Sequence, residues 1–170
     1  KIVRYKNFLS TGQQFIEVPL NTGGTTLIIG DNGSGKSTML DALCFGLFNR
    51  PFRDIKKDQI VNSINEKDCL VEIDLQIGSN KYTIKRGIKP TIFEIWCNDK
   101  MLNQDAASKD YQKHLEDNIL RLNFRSFTQV VILGSSSFVP FMRLRARHRR
   151  QVVEEILDIE IFSRMNLLLR

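Results

Sequence analysis

The run Ile28-Ile29-Gly30-Asp31-Asn32-Gly33-Ser34-Gly35-Lys36-Ser37-Thr38 constrains this chain more than any other stretch. It places glycine, four residues and then Gly-Lys-Ser in the spacing of a phosphate-binding loop. The flanks agree with that reading. Thr25-Thr26-Leu27-Ile28-Ile29 reads as a short buried strand, and Met39 to Phe48 reads as an amphipathic helix. Gly30, Gly33 and Gly35 let the backbone curl tightly and approach phosphate oxygens. The curl turns successive N–H groups inward as an anion nest, and the following helix adds its N-terminal donors and the positive end of its dipole. The candidate binding residues are therefore Asn32, Gly33, Ser34, Gly35, Lys36, Ser37 and Thr38, and the ligand class is a nucleoside triphosphate. Lys36 suits the β- and γ-phosphates, and Thr38 is placed for the α-phosphate. The Ser37 hydroxyl suits Mg²⁺, an ion that keeps several waters and takes few protein ligands. A flexible Gly/Ser linker is the competing explanation, and it leaves the flanking strand and helix unexplained.

With 170 residues and 42% hydrophobic side chains, the chain can bury a sizeable core and is not compositionally disordered. Its net charge of +6 favours an anionic partner, part of which a nucleotide would satisfy. Cys44, Cys69 and Cys97 lie far apart with no metal-type spacing, so they read as reduced core thiols suited to a cytosolic compartment. No apolar run reaches the length of a membrane span, and no signal peptide is visible, so no membrane partner is expected. The chain starts at Lys1 without an initiator Met, which suggests trimming at that end.

Ile2 to Phe8 alternates as a strand, with Gln14 to Pro19 as its partner. Asn49 to Asp54 reads as a loop. Cys69 to Ile77, Lys81 to Gly87 and Ile92 to Cys97 read as strands, the first two joined through Gly78-Ser79-Asn80 as a hairpin. Ser108 to Leu122 reads as a helix with Tyr111, Leu115, Ile119 and Leu122 on one face. Ser126 to Leu133 reads as a buried strand, Arg145 to Ile156 as a helix, and Ile159 to Arg170 as its helical continuation, ending without a stop signal.

These parts together resemble the N-terminal ATPase lobe of the SbcC-type DNA-repair ATPases, relatives of the SMC proteins within the ABC-type ATPases. The resemblance is carried by Lys6-Asn7-Phe8, the loop Ile29 to Thr38, Leu40-Asp41-Ala42 and the hairpin end Lys81 to Arg86. Ser126-Phe127-Thr128, Arg150 to Leu157 and Ile161-Phe162 complete it. It covers nearly the whole chain, and its last segment discriminates best. It implies an α/β fold, the head of an ABC-type P-loop ATPase whose N-terminal lobe has antiparallel hairpins and a mixed sheet. Residues 1–157 would form that lobe and 158–170 the start of a coiled coil. It also implies ATP with Mg²⁺, a C-terminal ATPase lobe elsewhere in the polypeptide that brings the catalytic acid pair, and a homodimer closed around ATP. DNA and a metal-dependent SbcD-type nuclease subunit are the further implied partners, in double-strand break repair and recombination. No run of four apolar residues followed by Asp-Glu occurs here, so no catalytic acid is assigned to this lobe.

The family places a glutamine after the Ser126 to Leu133 strand, where it helps hold Mg²⁺ and senses the γ-phosphate. Here the aligned position is Ser135, and Gln129 lies six residues earlier. Either Ser135 binds the metal through a water or Gln129 substitutes after a register shift, and the first is preferred.

Arg143, Arg145, Arg147, Arg149 and Arg150 cluster without an acid among them. In a helix Arg143, Arg147 and Arg150 would share a face, and Arg149 is a further candidate contact. They would contact DNA phosphate or an acidic partner surface, or they are a solvated face at the base of a coiled coil. Lys81, Lys85, Arg86 and Lys89 form a second set, more easily explained as solvated strand positions. Aromatics are not interleaved with either set, so backbone-directed, sequence-independent binding is expected. A small P-loop GTPase or kinase is disfavoured, since neither Asn-Lys-x-Asp nor a strand followed by Asp-x-x-Gly occurs. A chromosome-clamp head of the SMC type without a nuclease is the remaining alternative.

Overall fold

Alternation along the N-terminal half builds a sheet with two different faces. In the computed structural model, which describes residues 1–21, 23–102, 108–132, 141–157, 159, 161 and 165, the strands are β1 (Ile2–Lys6), β2 (Ile16–Pro19), β3 (Cys69–Ile77), β4 (Asn80–Ile88), β5 (Ile92–Cys97) and β6 (Lys100–Met101). They form one sheet in the order β2-β1-β3-β4-β5-β6, and every pairing is antiparallel. The register lines up Val18, Val3, Ile73, Ile84 and Ile95 across five strands. Val3, Ile73, Ile84 and Ile95 are buried. One residue along, on the opposite face, Glu17, Arg4, Glu72, Lys85 and Glu94 form a row of alternating charge. Arg4 pairs with Glu17 at 2.9 Å and with Asp74 at 2.6 Å, and Lys85 pairs with Glu72 at 3.3 Å. Opposite charges facing each other across strands fix register, because a one-residue slip would carry the whole row into the core.

Helix α1 (Lys36–Phe48) packs on β1, β3 and β4. Residues Ala42, Cys44, Phe45, Leu47 and Phe48 are buried, so its C-terminal half is apolar on more than one side. Phe45 meets Phe8 with ring centroids 5.6 Å apart, and Tyr5 meets Phe8 edge-on at 6.2 Å. At Gly46 a Cβ would collide with Ile73, so glycine permits the close approach of helix to sheet. Asn49 in the left-handed region ends α1, its N–H donating to the Phe45 carbonyl at 2.9 Å. Arg86 points inward from β4 and is 4% exposed. Its Nε donates to the Gly46 carbonyl at 3.0 Å, and its guanidinium lies 3.8 Å over the Phe93 ring. A cation at a helix C-terminus meets the negative end of the dipole. Arg86 is thus a structural residue, and Lys85 belongs to the charged row.

The chain forms two compact units, Lys1–Gln112 and Lys113–Arg170. The helix expected over 108–122 is α-helical from Ser108 to His114 (α2) and π-helical from Leu115 to Leu120, with Leu115 and Ile119 buried. In the second unit the structure departs from the strand expected over Ser126 to Leu133. Phe124–Val130 is a helix, α3, capped by Asn123, whose side chain accepts from the Ser126 N–H at 3.0 Å. The Val131 N–H donates to the Phe127 carbonyl at 2.8 Å, and Val130 and Val131 are about half exposed rather than buried. The β-branched run favoured a strand, and the cap overrode that preference. Helix α4 (Ala146–Ile156) forms as expected, and the Glu155 carboxylate accepts from Asn123 and Ser126, joining α4 to α3. Most of the expected coiled-coil start, 158–170, lies outside the described residues.

Candidate nucleotide site

The expected strand Thr25 to Ile29 is not laddered. The segment is without secondary structure, and Leu27 and Ile29 are 79% and 83% exposed. Its apolar, β-branched sequence suits a strand covered on both faces, and no described strand lies alongside to supply hydrogen bonds. The mixed sheet that the resemblance implies is not found among the described residues, whose one sheet is antiparallel throughout.

The loop that follows has the expected shape. Gly33 (φ 87°) and Gly35 (φ 90°) occupy the left-handed region, and Gly35 is the N-cap of α1. The Ser34 N–H donates to the Asp31 carbonyl at 3.2 Å, and the Thr38 N–H donates to the Gly35 carbonyl at 3.0 Å. Lys36 folds back over the curl, its Nζ donating to the carbonyls of Gly30 and Asp31 at 2.6 Å each. Asn32, Gly33, Ser34 and Ser37 are exposed, whereas Thr38 is buried. The loop opens on a cleft of about 610 Å³, lined by Gly33, Ser34, Gly35 and Lys36 among others. Tyr5, Ile16, Val18, Ile28, Ile29 and Met39 give it an apolar wall, and Ser10, Thr11 and Gly12 line it too. A phosphate cradle beside an apolar wall with a few polar groups suits a nucleotide.

Two features of this unit were not assigned a role from sequence. Asp41, one helical turn after Ser37, has no solvent exposure. It accepts from the Arg53 N–H at 2.9 Å, from Nε at 2.8 Å and from Nη2 at 2.5 Å. This pair ties the loop after α1 back to the helix that bears Lys36 and Ser37, and only its appearance in Leu40-Asp41-Ala42 hinted at it. The second is the Ser10–Gly12 wall, held from Asn62 through side-chain amide bonds that sequence spacing does not reveal.

Cys44 and Cys69 are buried thiols pushed up to about 12, chiefly by burial, and for Cys44 next by the Asp41 charge. Of the metal candidates beyond Ser37, Gln129 sits on α3, not in a strand, and Ser135 lies outside the described residues.

In the second unit the arginines separate. Arg143 ends a 3₁₀ turn (Phe141–Arg143) that precedes α4, so it does not share the helical face of Arg147 and Arg150. Arg149 donates to the carbonyls of Met142 at 2.9 Å and Leu144 at 3.1 Å, fastening that turn to α4. Arg150 pairs with Glu154 at 2.7 Å, while Arg143, Arg145 and Arg147 are exposed. His148 is held below its ordinary value by desolvation and then by the charges of Arg125, Arg145 and Arg147.

Residues 3–168 match the AAA domain family. The chain belongs to that family. This AAA domain is 46% identical over 166 residues to Exonuclease subunit 2 of Enterobacteria phage T4, covering 98% of the chain and 30% of that protein. It is also 46% identical over 164 residues to Exonuclease subunit 2 of Escherichia phage RB69, covering 96% of the chain and 29% of that protein. At 27% identity over 176 residues it is similar to the DNA double-strand break repair Rad50 ATPase of Thermoplasma volcanium, covering 99% of the chain and 19% of that protein. The chain thus spans less than a third of the length of these relatives.

Proposed function

We propose that this AAA domain is the ATP-binding half of an ATPase head that controls a partner nuclease on DNA. The observation that carries the reading is the curled Gly33–Lys36 loop at the N-terminus of α1, opening on a cleft large enough for a nucleotide. Asn32 to Thr38 would hold the phosphates. Lys36 would exchange its contacts with the Gly30 and Asp31 carbonyls for β- and γ-oxygens, a charge-assisted trade. The donor set fits Mg²⁺, since the exposed Ser37 hydroxyl offers one hard oxygen and leaves room for waters. Bound there, the ion would neutralise charge on the phosphates.

The segment Thr25–Ile29, which joins no described strand and exposes Leu27 and Ile29, supports a composite site. In this reading, strands from a C-terminal ATPase lobe pair with it and bring the acid pair that activates water. Two such heads would close on ATP, an association that depends on nucleotide and is released by hydrolysis. The nuclease and DNA partners rest on the names of the relatives, an exonuclease subunit in one case and a DNA double-strand break repair ATPase in the other. The exposed arginines near α4 suit DNA phosphate, and the exposed Val153, Ile156 and Leu157 suit a protein partner. The test is calorimetry with ATP and Mg²⁺ on the complete polypeptide. Micromolar binding that is lost in Lys36→Ala is expected. Equal affinity in both proteins would overturn the reading.

A further inference from the structure

Ser10, Thr11 and Gly12 line the cleft together with the phosphate loop, and the segment that carries them has no regular secondary structure and an unusual conformation. Asn7 (φ 49°) and Leu9 (φ 52°) both lie in the left-handed region, which leucine adopts rarely. Such a conformation persists only where the surroundings over-determine it. The surroundings here converge on Asn62, which is 6% exposed. Its side-chain Nδ2 donates to the carbonyls of Leu9 at 3.1 Å and Thr11 at 3.0 Å. Its Oδ1 accepts from the N–H groups of Ile64 at 2.9 Å and Asn65 at 3.0 Å. Its own backbone N–H donates to the Asn7 carbonyl at 2.9 Å. Asn65 Nδ2 adds a bond to Asn7 Oδ1 at 2.8 Å, and the Leu9 N–H donates to the Ile60 carbonyl at 2.6 Å. Only a side chain with two donors and an acceptor in one plane satisfies all four side-chain bonds, which selects a primary amide.

The loop so held presents Ser10, Thr11 and Gly12 to the cleft. Gly33 to Lys36 also line that cleft, and Tyr5, Ile16, Val18, Ile28, Ile29 and Met39 give it an apolar wall. A triphosphate chain gains nothing from an apolar wall, whereas the flat faces of a base do. We propose that Asn62 is a positioning residue that shapes the nucleoside end of the cleft, setting affinity for the base and ribose without touching the phosphates. The proposal rests on the nucleotide reading of the cleft.

Two ligands separate the roles: ATP with Mg²⁺, and inorganic tripolyphosphate with Mg²⁺, which engages the phosphate loop alone. In Asn62→Asp a carboxylate oxygen replaces the amide nitrogen against two carbonyls, so the loop must move. In the complete polypeptide, that variant binds ATP about tenfold more weakly, while tripolyphosphate affinity stays within about twofold of wild type. Should Asn62→Asp not fold, the wild-type protein still decides the matter by NMR. ATP shifts the backbone amides of Ser10 and Gly12 and the Asn62 side-chain amide, and tripolyphosphate leaves them in place. Parallel loss of both ligands in the variant, or ATP leaving those signals unmoved, would overturn the role of Asn62 while sparing the phosphate loop. Wild type binding neither ligand would instead overturn the nucleotide reading and the proposal with it.

Discussion

Strand β3 presents an apolar, β-branched face and the segment Thr25–Ile29 is rich in apolar and β-branched residues, yet one is the centre of a sheet and the other joins no described strand. β3 has β1 and β4 on its two sides, and Val71 and Ile73 vanish under α1. Leu27 and Ile29 stand exposed immediately before the phosphate loop. The difference teaches that strand propensity describes a surface to be covered, and that the ladder depends on a neighbour. The loop and α1 are anchored by the Phe8–Phe45 contact and the Asp41–Arg53 pair, while the segment that feeds them belongs to no described sheet.

Substitutions can break that comparison. Phe45→Ala removes the ring that joins α1 to the sheet and should cost about 3–5 kcal/mol in denaturant unfolding. Asp41→Ala, which removes the acceptor of three bonds from the Arg53 backbone and guanidinium, should cost about 1–3 kcal/mol. Leu27→Ser or Ile29→Ser in residues 1–170 should change stability by no more than about 0.5 kcal/mol, since the side chains are already in water. A loss from Leu27→Ser comparable to that from Phe45→Ala would erase the contrast.

Lys36→Ala should weaken ATP binding by about 1.5–3 kcal/mol, since it removes a charge-assisted contact, while unfolding changes little. This separates the ligand-facing side of the loop from its structural side.

Much of the contrast was visible beforehand. The antiparallel strands were legible because period-two alternation and the Gly78-Ser79-Asn80 turn agree, and β3 and β5 start and stop at the expected residues. The phosphate loop was legible because its glycines permit few alternatives. The strand at Thr25–Ile29 was read correctly as apolar and incorrectly as buried, because burial belongs to a neighbour that a local window does not contain. The α3 segment failed for the opposite reason. Its decisive signal was one residue, Asn123, preceding a β-branched run that suggested a strand. The arginine cluster was visible as charge, but only geometry divided Arg149, which holds a turn, from Arg143 and Arg147, which face solvent.

The buried thiols give a pH test of the anchored region. Cys44 and Cys69, raised from 9.0 to about 12, remain neutral in the folded chain after they would ionise in the unfolded one. Unfolding then releases protons, so their contribution is full below pH 9 and is lost as pH rises towards 12. Denaturation between those limits should show falling stability that Cys44→Ala and Cys69→Ala reduce. In the folded protein, alkylation at pH 8 should reach Cys97 first.

The smallest effect is expected at Arg147 and Arg150. Reversing both charges in the complete polypeptide should make the slope of log DNA affinity against log salt shallower by about one per lost phosphate contact. His148 offers a finer readout. Bound phosphate opposes the arginine field, so the imidazole should titrate higher with DNA than without it. An unmoved slope and an unmoved His148 would return the cluster to a solvated face.

Hydrogen exchange at the amides of Leu27, Ile28 and Ile29 tests the composite site most directly. In residues 1–170 alone they should exchange close to the rate of an open chain, while Val71 and Ile73 of β3 stay protected. In the complete polypeptide the same three amides should become protected to the level of β3. Equal protection in both proteins, or none in either, would contradict a site whose feeding strand is completed by the rest of the polypeptide.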